Sequence, residues 1–299
     1  MIFINYYDEI KKELLNNEIT KKVKNYSINK SDLTTYYNVG KLLAEAGKHY
    51  GEGIIKEYSD RLSSELNIKY SVRTLYKIIK YFNYMNKQKV PTVSAKLSWS
   101  HYDELLKLTD ENIINYYIKI SEEQNLSVRE LRKKIKSNEY ERLDEETKKK
   151  LKDKEKLKLP DLVKNPLQLR NTSGNNEISE KILQKLILED IPSFLKELGN
   201  GFSFIDNEYK IKIGDRYNYI DLLLYNIKYK CYVVVELKVT ELNSNHTGQI
   251  QKYMNYIDKN IKNIDDNKTV GIIICKKENK YVIEYCSDDR IIAREYELI

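Results

Sequence analysis

Tyr219-Ile220-Asp221-Leu222-Leu223-Leu224-Tyr225, the polar link Asn226 to Lys230, and Cys231-Tyr232-Val233-Val234-Val235-Glu236-Leu237-Lys238 decide how this chain is read. Two runs of apolar, β-branched and aromatic residues flank a short connection, which predicts a β-hairpin. An Asp, a Glu and a Lys sit inside these oily strands, where charge costs free energy unless something compensates it. Side chains alternate along a strand, so Glu236 and Lys238 share a face. A turn of two residues at Lys228-Tyr229, or of four at Ile227 to Lys230, puts Asp221 opposite Glu236. An odd turn without a bulge puts them on different faces. Directly opposed, the carboxylates stand roughly 5 Å apart at Cβ and repel each other. A divalent cation between them removes that repulsion, and oxygen ligands suit Mg²⁺ or Mn²⁺. Lys238 then lies beside the metal, placed to meet a phosphate or a developing negative charge. Geometry alone also allows a surface Asp at a strand start and a Glu–Lys pair on a solvated face, because E-x-K is a common pattern.

The 299 residues are enough for two ordinary domains. Lys and Arg number 52 against 45 Asp and Glu, and the net charge of +7 favours a polyanionic partner. Heavy use of Lys, Asn, Ile and Tyr fits AT-rich coding DNA, which explains the 26 tyrosines more cheaply than base stacking does. Three cysteines without C-x-x-C spacing read as reduced thiols in a cytoplasm. His49, His101 and His246 have no zinc-ligand spacing. The N-terminus lacks the pattern of a signal peptide, and no apolar run approaches the ~18 residues of a membrane span. A soluble cytoplasmic protein with no membrane partner is expected.

From Tyr6 to about Leu143 the pattern is helical, with Ile10, Leu14, Leu15, Ile19 and Val23 at three- and four-residue spacing, and Ser31 opening the next segment. Ser71 reads as the cap of a helix running to about Met85. With the segment before it, joined across Asn67-Ile68-Lys69-Tyr70, it resembles a helix-turn-helix presenting Arg73, Thr74, Lys77 and Lys80 outward as phosphate contacts or base readers. Two amphipathic helices joined by a short turn are equally at home in any all-α domain. Trp99 reads as a packing anchor, and Ser127-Val128-Arg129-Glu130 as a capping box. Asp144 to Lys158 is almost entirely charged, a solvated linker or exposed helix. The expected division is a helical domain over 1–145, a charged linker over 146–170 and a second domain over 171–299.

Beyond Asn171-Thr172-Ser173-Gly174-Asn175-Asn176, one helix is expected from about Glu177 to Leu198. A strand follows from Phe202 through Ile213, then the hairpin, a helix from about Asn245 to Ile257, and the buried run Val270 to Cys275. Short strands are expected at Tyr281–Tyr285 and Ile291–Tyr296. The order α-β-β-β-α-β predicts a mixed central sheet flanked by helices, hence an α+β two-domain chain with an all-α N-terminal domain.

That order, with Asp on the second strand and E-x-K on the third, resembles the PD-(D/E)XK nuclease fold, which is restriction-endonuclease-like. Ile220-Asp221-Leu222-Leu223, Cys231 to Lys238, and Gly248-Gln249 followed by Tyr253 are similar to the C-terminal half of the prokaryotic YhcG-like family. Phe194 to Phe204 fits its helix-to-strand junction, and Leu97 to His101, Ser127 to Leu131 and Tyr140 to Leu143 fit its helical N-terminal domain. The resemblance implies that Asp221 and Glu236 hold Mg²⁺ or Mn²⁺, that Lys238 is the catalytic lysine and that Gln249 orients water or a phosphate. It places Gln184 where related sequences tend to carry a first-helix Glu, with Glu180 and Glu189 as nearby acids, so one metal or two stays open. The activity implied is metal-assisted phosphodiester hydrolysis by a DNA endonuclease, in repair and recombination or in defence against foreign DNA. The alternative is a catalytically inactive DNA-binding or scaffold protein. A homodimer, and a protein partner held by the helical domain, are further implications of this class.

Overall fold

The structure is a computed structural model describing residues 5–23, 28–51, 53–88, 96–172, 178–286 and 288–299, with side chains outside 20–31. The sequence expectations on Met1 to Ile4, on the side chains of Val23 and Ser31, and on Ser173 to Glu177 lie outside the described residues. The chain divides into two compact units, Met1–Ser137 and Asn138–Ile299.

The first unit is helical: α1 Tyr6–Val23, α2 Ile28–Tyr50, α3 Gly53–Leu66, α4 Val72–Lys87, α5 Trp99–Leu105, α6 Glu111–Gln124 and α7 Val128–Lys136. Local chemistry sets these boundaries. Gly51, at φ 80°, follows the end of α2. The Ser71 hydroxyl accepts from Thr74 N, Asp110 accepts from Asn112 N, and Ser127 and Glu130 close a capping box. Ile10, Leu14, Leu43, Leu62, Leu75 and Ile78 form the core. Trp99 packs at 4.6 Å from the Tyr36 ring and 5.7 Å from Tyr81, as a packing anchor should. Gly40 permits close contact of α2 with α4, since a Cβ there would lie 2.6 Å from the Ile78 carbonyl oxygen. Among the described residues no helix is long and apolar enough to cross a membrane.

The second unit contains α8 Glu145–Lys152, a 3₁₀ turn Pro160–Leu162, β1 Leu167–Leu169, α9 Glu180–Glu189, α10 Ile191–Leu198, β2 Phe202–Ile213, β3 Arg216–Asn226, β4 Cys231–Leu237, α11 Ser244–Asn260, β5 Val270–Cys275, α12 Lys280–Glu284 and β6 Ile291–Leu298. The sheet order is β1-β6-β5-β4-β3-β2. β2 with β3 and β3 with β4 are antiparallel, while the remaining pairs are parallel, so the sheet is mixed. Cys231, Val233, Val235 and Leu237 of β4 pack with Leu183 and Ile187 of α9 and Phe194 of α10. Val234 faces the opposite layer, with Ile250, Met254 and Ile257 of α11. The three cysteines are free thiols.

Three expectations are corrected. The single helix to Leu198 is two helices, because the Asp190 side chain accepts from Ser193 N and Pro192 lies in the first turn of α10. Tyr281 to Tyr285 form most of α12 and its cap, not a strand. Residues 146–170 are not a solvated linker: they contribute α8 and β1, and β1 pairs in parallel with β6 at Leu167↔Tyr296. Two buried cations fasten this segment. Arg294 donates to the carbonyls of Val163 (2.8 Å) and Pro160 (3.3 Å) and pairs with Asp144 (2.9 Å). Lys164 lies 3.7 Å from Glu139 and 3.6 Å from Glu197, which also pairs with Arg142. The charged run from Asp144 to Lys158 is itself mostly exposed and carries α8, in keeping with the exposed-helix expectation; apart from Asp144, the docking groups lie outside it.

Removing one partner of a buried ion pair costs about 3–5 kcal/mol because the other charge stays buried. A fragment of residues 138–299 is therefore expected to unfold cooperatively in urea monitored by circular dichroism. A fragment of 171–299, with Arg294 and Glu197 stripped of their partners and one β6 edge bare, is expected to show no cooperative transition.

Candidate active site

The β3–β4 turn holds four residues, Ile227 to Lys230, and pairs Asn226 with Cys231 through to Leu222 with Val235. Asn226 is fully buried and explains that length. Its Nδ2 donates to the Asn200 carbonyl (3.1 Å), its Oδ1 accepts from Tyr229 N (3.1 Å), and Ile227 N donates to the Gly201 carbonyl (2.9 Å). The ladder ends there, and the Asp221 carboxylate, next along β3, accepts from Leu237 N at 2.7 Å beside Glu236. The even-turn condition is met.

Glu236 is 1 % exposed, on the α11 face of the sheet. Its Oε2 accepts from Gln249 Nε2 at 3.0 Å and from Lys238 Nζ at 3.5 Å. Its Oε1 is buried without a hydrogen-bond partner. Burial first, and the neighbouring Asp221 second, push its carboxyl up to about 8, against the pull of Lys238. Asp221 is raised too, by burial, although its Oδ2 accepts from Leu237 N at 2.7 Å and Lys238 opposes the shift. Gln249 Nε2 also donates to the Tyr253 hydroxyl at 3.1 Å, one turn along α11. Gly271 on β5 fixes how deeply that helix seats: a Cβ there would lie 2.6 Å from Met254 Sδ and 2.9 Å from Ile250 Cδ1.

Gln184 of α9 reaches the same place. Its Nε2 donates to the Asp221 carbonyl oxygen at 3.2 Å. One turn earlier, Glu180 stands 4.0 Å from Lys238 Nζ, so Lys238 is bracketed by Glu180 and Glu236. Glu189 is turned away, bound by Thr172 (2.6 Å) and near Lys185 (3.8 Å). His246, in the first turn of α11, was not singled out by its sequence. Burial and Lys238 lower its pKa while Glu180 opposes them, and its one sequence signal is the capping box it forms with Asn243.

The donor set suits a hard divalent cation. Such a cation would compensate two carboxylates, one of which keeps a buried oxygen that no protein donor reaches. Among the described residues no group of three or more His, Cys, Asp or Glu converges.

The four basic-patch residues are a different matter. Lys77 is ion-paired with Asp103, Lys80 donates to the Leu106 carbonyl, and the Thr74 hydroxyl lies 2.9 Å from that of Ser71. Only Arg73 is exposed with its head group uncommitted. Lys80 is exposed and Lys77 half-buried, with their head groups engaged by Leu106 and Asp103 of the same unit. On α7, by contrast, Arg129, Lys133 and Lys136 are exposed at i, i+4, i+7 spacing.

Family comparison places both halves. Residues 160–299 match the YhcG PDDEXK nuclease domain, and residues 10–142 match the DUF1016 N-terminal domain. The chain thus joins a DUF1016 N-terminal domain to a YhcG PDDEXK nuclease domain. It is 26% identical over 219 residues to "Putative nuclease YhcG" of Escherichia coli (strain K12), over 69% of this chain and 58% of that protein. The chain thus spans a little over half the length of this curated relative. Solved structures of a repair endonuclease from Pyrococcus abyssi (19% identity, 42% of this chain, 49% of that chain) and of an EndoMS–dsDNA complex (19%, 43% and 48%) overlap it at TM-scores of 0.29, too loosely to bear on substrate. The family match and the sheet topology together make the second unit a restriction-endonuclease-like PDDEXK domain.

The raised Glu236 carboxyl sets a pH dependence. A folded pKa near 8 against an ordinary 4.5 means that the folded state binds more protons between these values, so metal-free stability falls as pH rises through that window. In EDTA the melting temperature is expected to drop from pH 5 to pH 8. Glu236→Gln should flatten the profile and melt above wild type at pH 8.

Proposed function

We propose that the chain is a divalent-cation-dependent DNA endonuclease. The observation that carries this reading is the buried, unpartnered Glu236 Oε1 beside Asp221, with Lys238 on the same carboxylate. Asp221 and Glu236 hold the cation. When bound, Mg²⁺ or Mn²⁺ supplies a water of lowered pKa and polarises the scissile phosphate. Lys238, steadied between Glu236 and Glu180, meets the negative charge that builds on the phosphate during attack. Gln249 occupies Glu236 Oε2 and leaves Oε1 for the cation, while Tyr253 anchors Gln249. Gln184 holds the Asp221 backbone in place of a third acidic ligand, which favours a single metal. Repair, recombination and defence against foreign DNA all suit this chemistry, and a homodimer would supply the two sites that two strands need.

A second reading rests on the same Gln184. With one acid fewer than related sites, the fold serves as a DNA-binding scaffold that does not cut, or holds a protein partner through its helical unit. Incubation of duplex, nicked and branched DNA, with matched RNA, in Mg²⁺ or Mn²⁺ separates the two. Asp221→Ala and Glu236→Ala are expected to abolish cutting. Lys238→Ala should slow it by about 10²–10³-fold, and Gln249→Leu by about 10–100-fold. Wild type that binds DNA but never cuts it favours the scaffold.

Within the helical unit the exposed cations of α7, with Arg73, are the proposed phosphate contacts. Replacing Arg129, Lys133 and Lys136 by Ala should reduce the slope of log affinity against log salt by about 2.7 on duplex DNA, near 0.9 per phosphate contact. Lys77→Ala and Lys80→Ala should leave that slope alone.

A further inference from the structure

β3 begins at Arg216 but pairs with β4 only from Leu222, so residues 216–221 and their β2 partners form a two-stranded ribbon beyond the end of β4. One side of this ribbon is packed. Ile211 and Ile220 are buried, and Tyr209 and Ile213 join them against the α11 layer. The other side is open. Tyr217 and Tyr219 are 57% and 52% exposed, and register places Lys212 opposite Tyr217 and Lys210 opposite Tyr219. Lys210 Nζ stands 4.0 Å from the Tyr217 ring centre and Lys212 Nζ 5.9 Å from it.

We propose that this open face is a strand path. A single-stranded stretch of nucleic acid runs along it toward Asp221, its phosphates met by Lys210 and Lys212 and its bases stacked on Tyr217 and Tyr219. The proposal rests on the nuclease reading of the site and adds the substrate form. Tyr219 and Tyr217 precede Asp221 by two and four residues on β3, about 7 and 13 Å along the strand, and the strand turns over at Asp221, since Ile220 packs in the α11 layer and Leu222 in the α9–α10 layer. Charge changes sign on the way. Glu208 and Asp206 lie at the base, where Glu208 is felt by Asp221, and the lysines lie further out, with Asp215 and Arg216 offsetting each other at the tip. A cation at the base and lysines beyond give a polyanion a continuous run of positive partners. Lysines on an edge strand also discourage pairing with other chains, which accounts for Lys210 and Lys212 but not for two exposed rings beside them. Unpaired bases can use those rings, whereas bases already stacked in a duplex cannot.

The test is fluorescence anisotropy of the full chain in EDTA, so that nothing is cut, with a labelled single-stranded DNA and its duplex. Tyr217→Ala/Tyr219→Ala is expected to weaken single-strand binding by about tenfold or more, with an unchanged salt slope and a smaller effect on duplex. Lys210→Ala/Lys212→Ala should reduce the single-strand salt slope by about 1.4, near 0.7 per phosphate contact. Thermal melts check that these surface changes leave folding intact. Single-strand affinity equal to wild type in both double variants overturns the strand path, and the nuclease reading survives if wild type still cuts. Affinity lost in both variants supports the path even where wild type proves unable to cut. Intact DNA binding with lost binding to phosphatidylserine vesicles would instead make the face a membrane contact and overturn the proposal.

Discussion

The turn between β3 and β4 governs everything charged in this site. Asn226, buried and bonded to Asn200 and Tyr229, holds that turn at four residues, and the even count carries the ladder to Leu222↔Val235, next to Asp221 and Glu236. An uncharged amide at the far end of the hairpin thereby controls the spacing of two carboxylates five residues away. The pairing of β4 with β5, and the seating of α11 over Gly271, then bring Gln249 to the same carboxylate.

The site is built against its own stability. Glu236 is sunk in a strand whose immediate neighbours are valine and leucine, with Asp221 close by, and burial raises both carboxyls. Lys238 and Gln249 compensate one oxygen of Glu236 and leave the other without a partner. Such an atom is expensive in a purely structural core, and a divalent cation, as proposed, would offset that cost. The same arrangement draws Lys238 between two acids, which keeps its ammonium close to the place where a phosphate would sit.

Several features of the fold were readable locally. The caps at Ser71, Asp110 and Ser127 are short-range hydrogen bonds between a side chain and a backbone two or three residues away, so the residue pattern carries them directly. The β-branched runs around Asp221 and Glu236 predicted a hairpin, and its alternation predicted which residues share a face. Other elements were not readable in this way. Tyr281 to Tyr285 has the composition of a strand but lies in α12, because the β5 and β6 ladder leaves no slot for it. Asp144 to Lys158 is largely exposed as its composition suggests, but the residues after it dock through Arg294 and Lys164, whose partners come from both ends of the unit.

The sequence by itself determined the chemistry available: an Asp and an E-x-K in adjacent strands, a glutamine on the following helix, and a helical half preceding them. These follow from periodicity and residue type, which are properties of short segments. Only the tertiary structure decided which atoms meet. It chose Glu180 over Glu189 as the acid beside Lys238, gave Gln184 to a backbone carbonyl, tied down Lys77 and Lys80, and left Tyr217 and Tyr219 open on a ribbon. Each of these depends on how two elements distant in the chain are packed, and packing is fixed by the whole set of buried contacts at once.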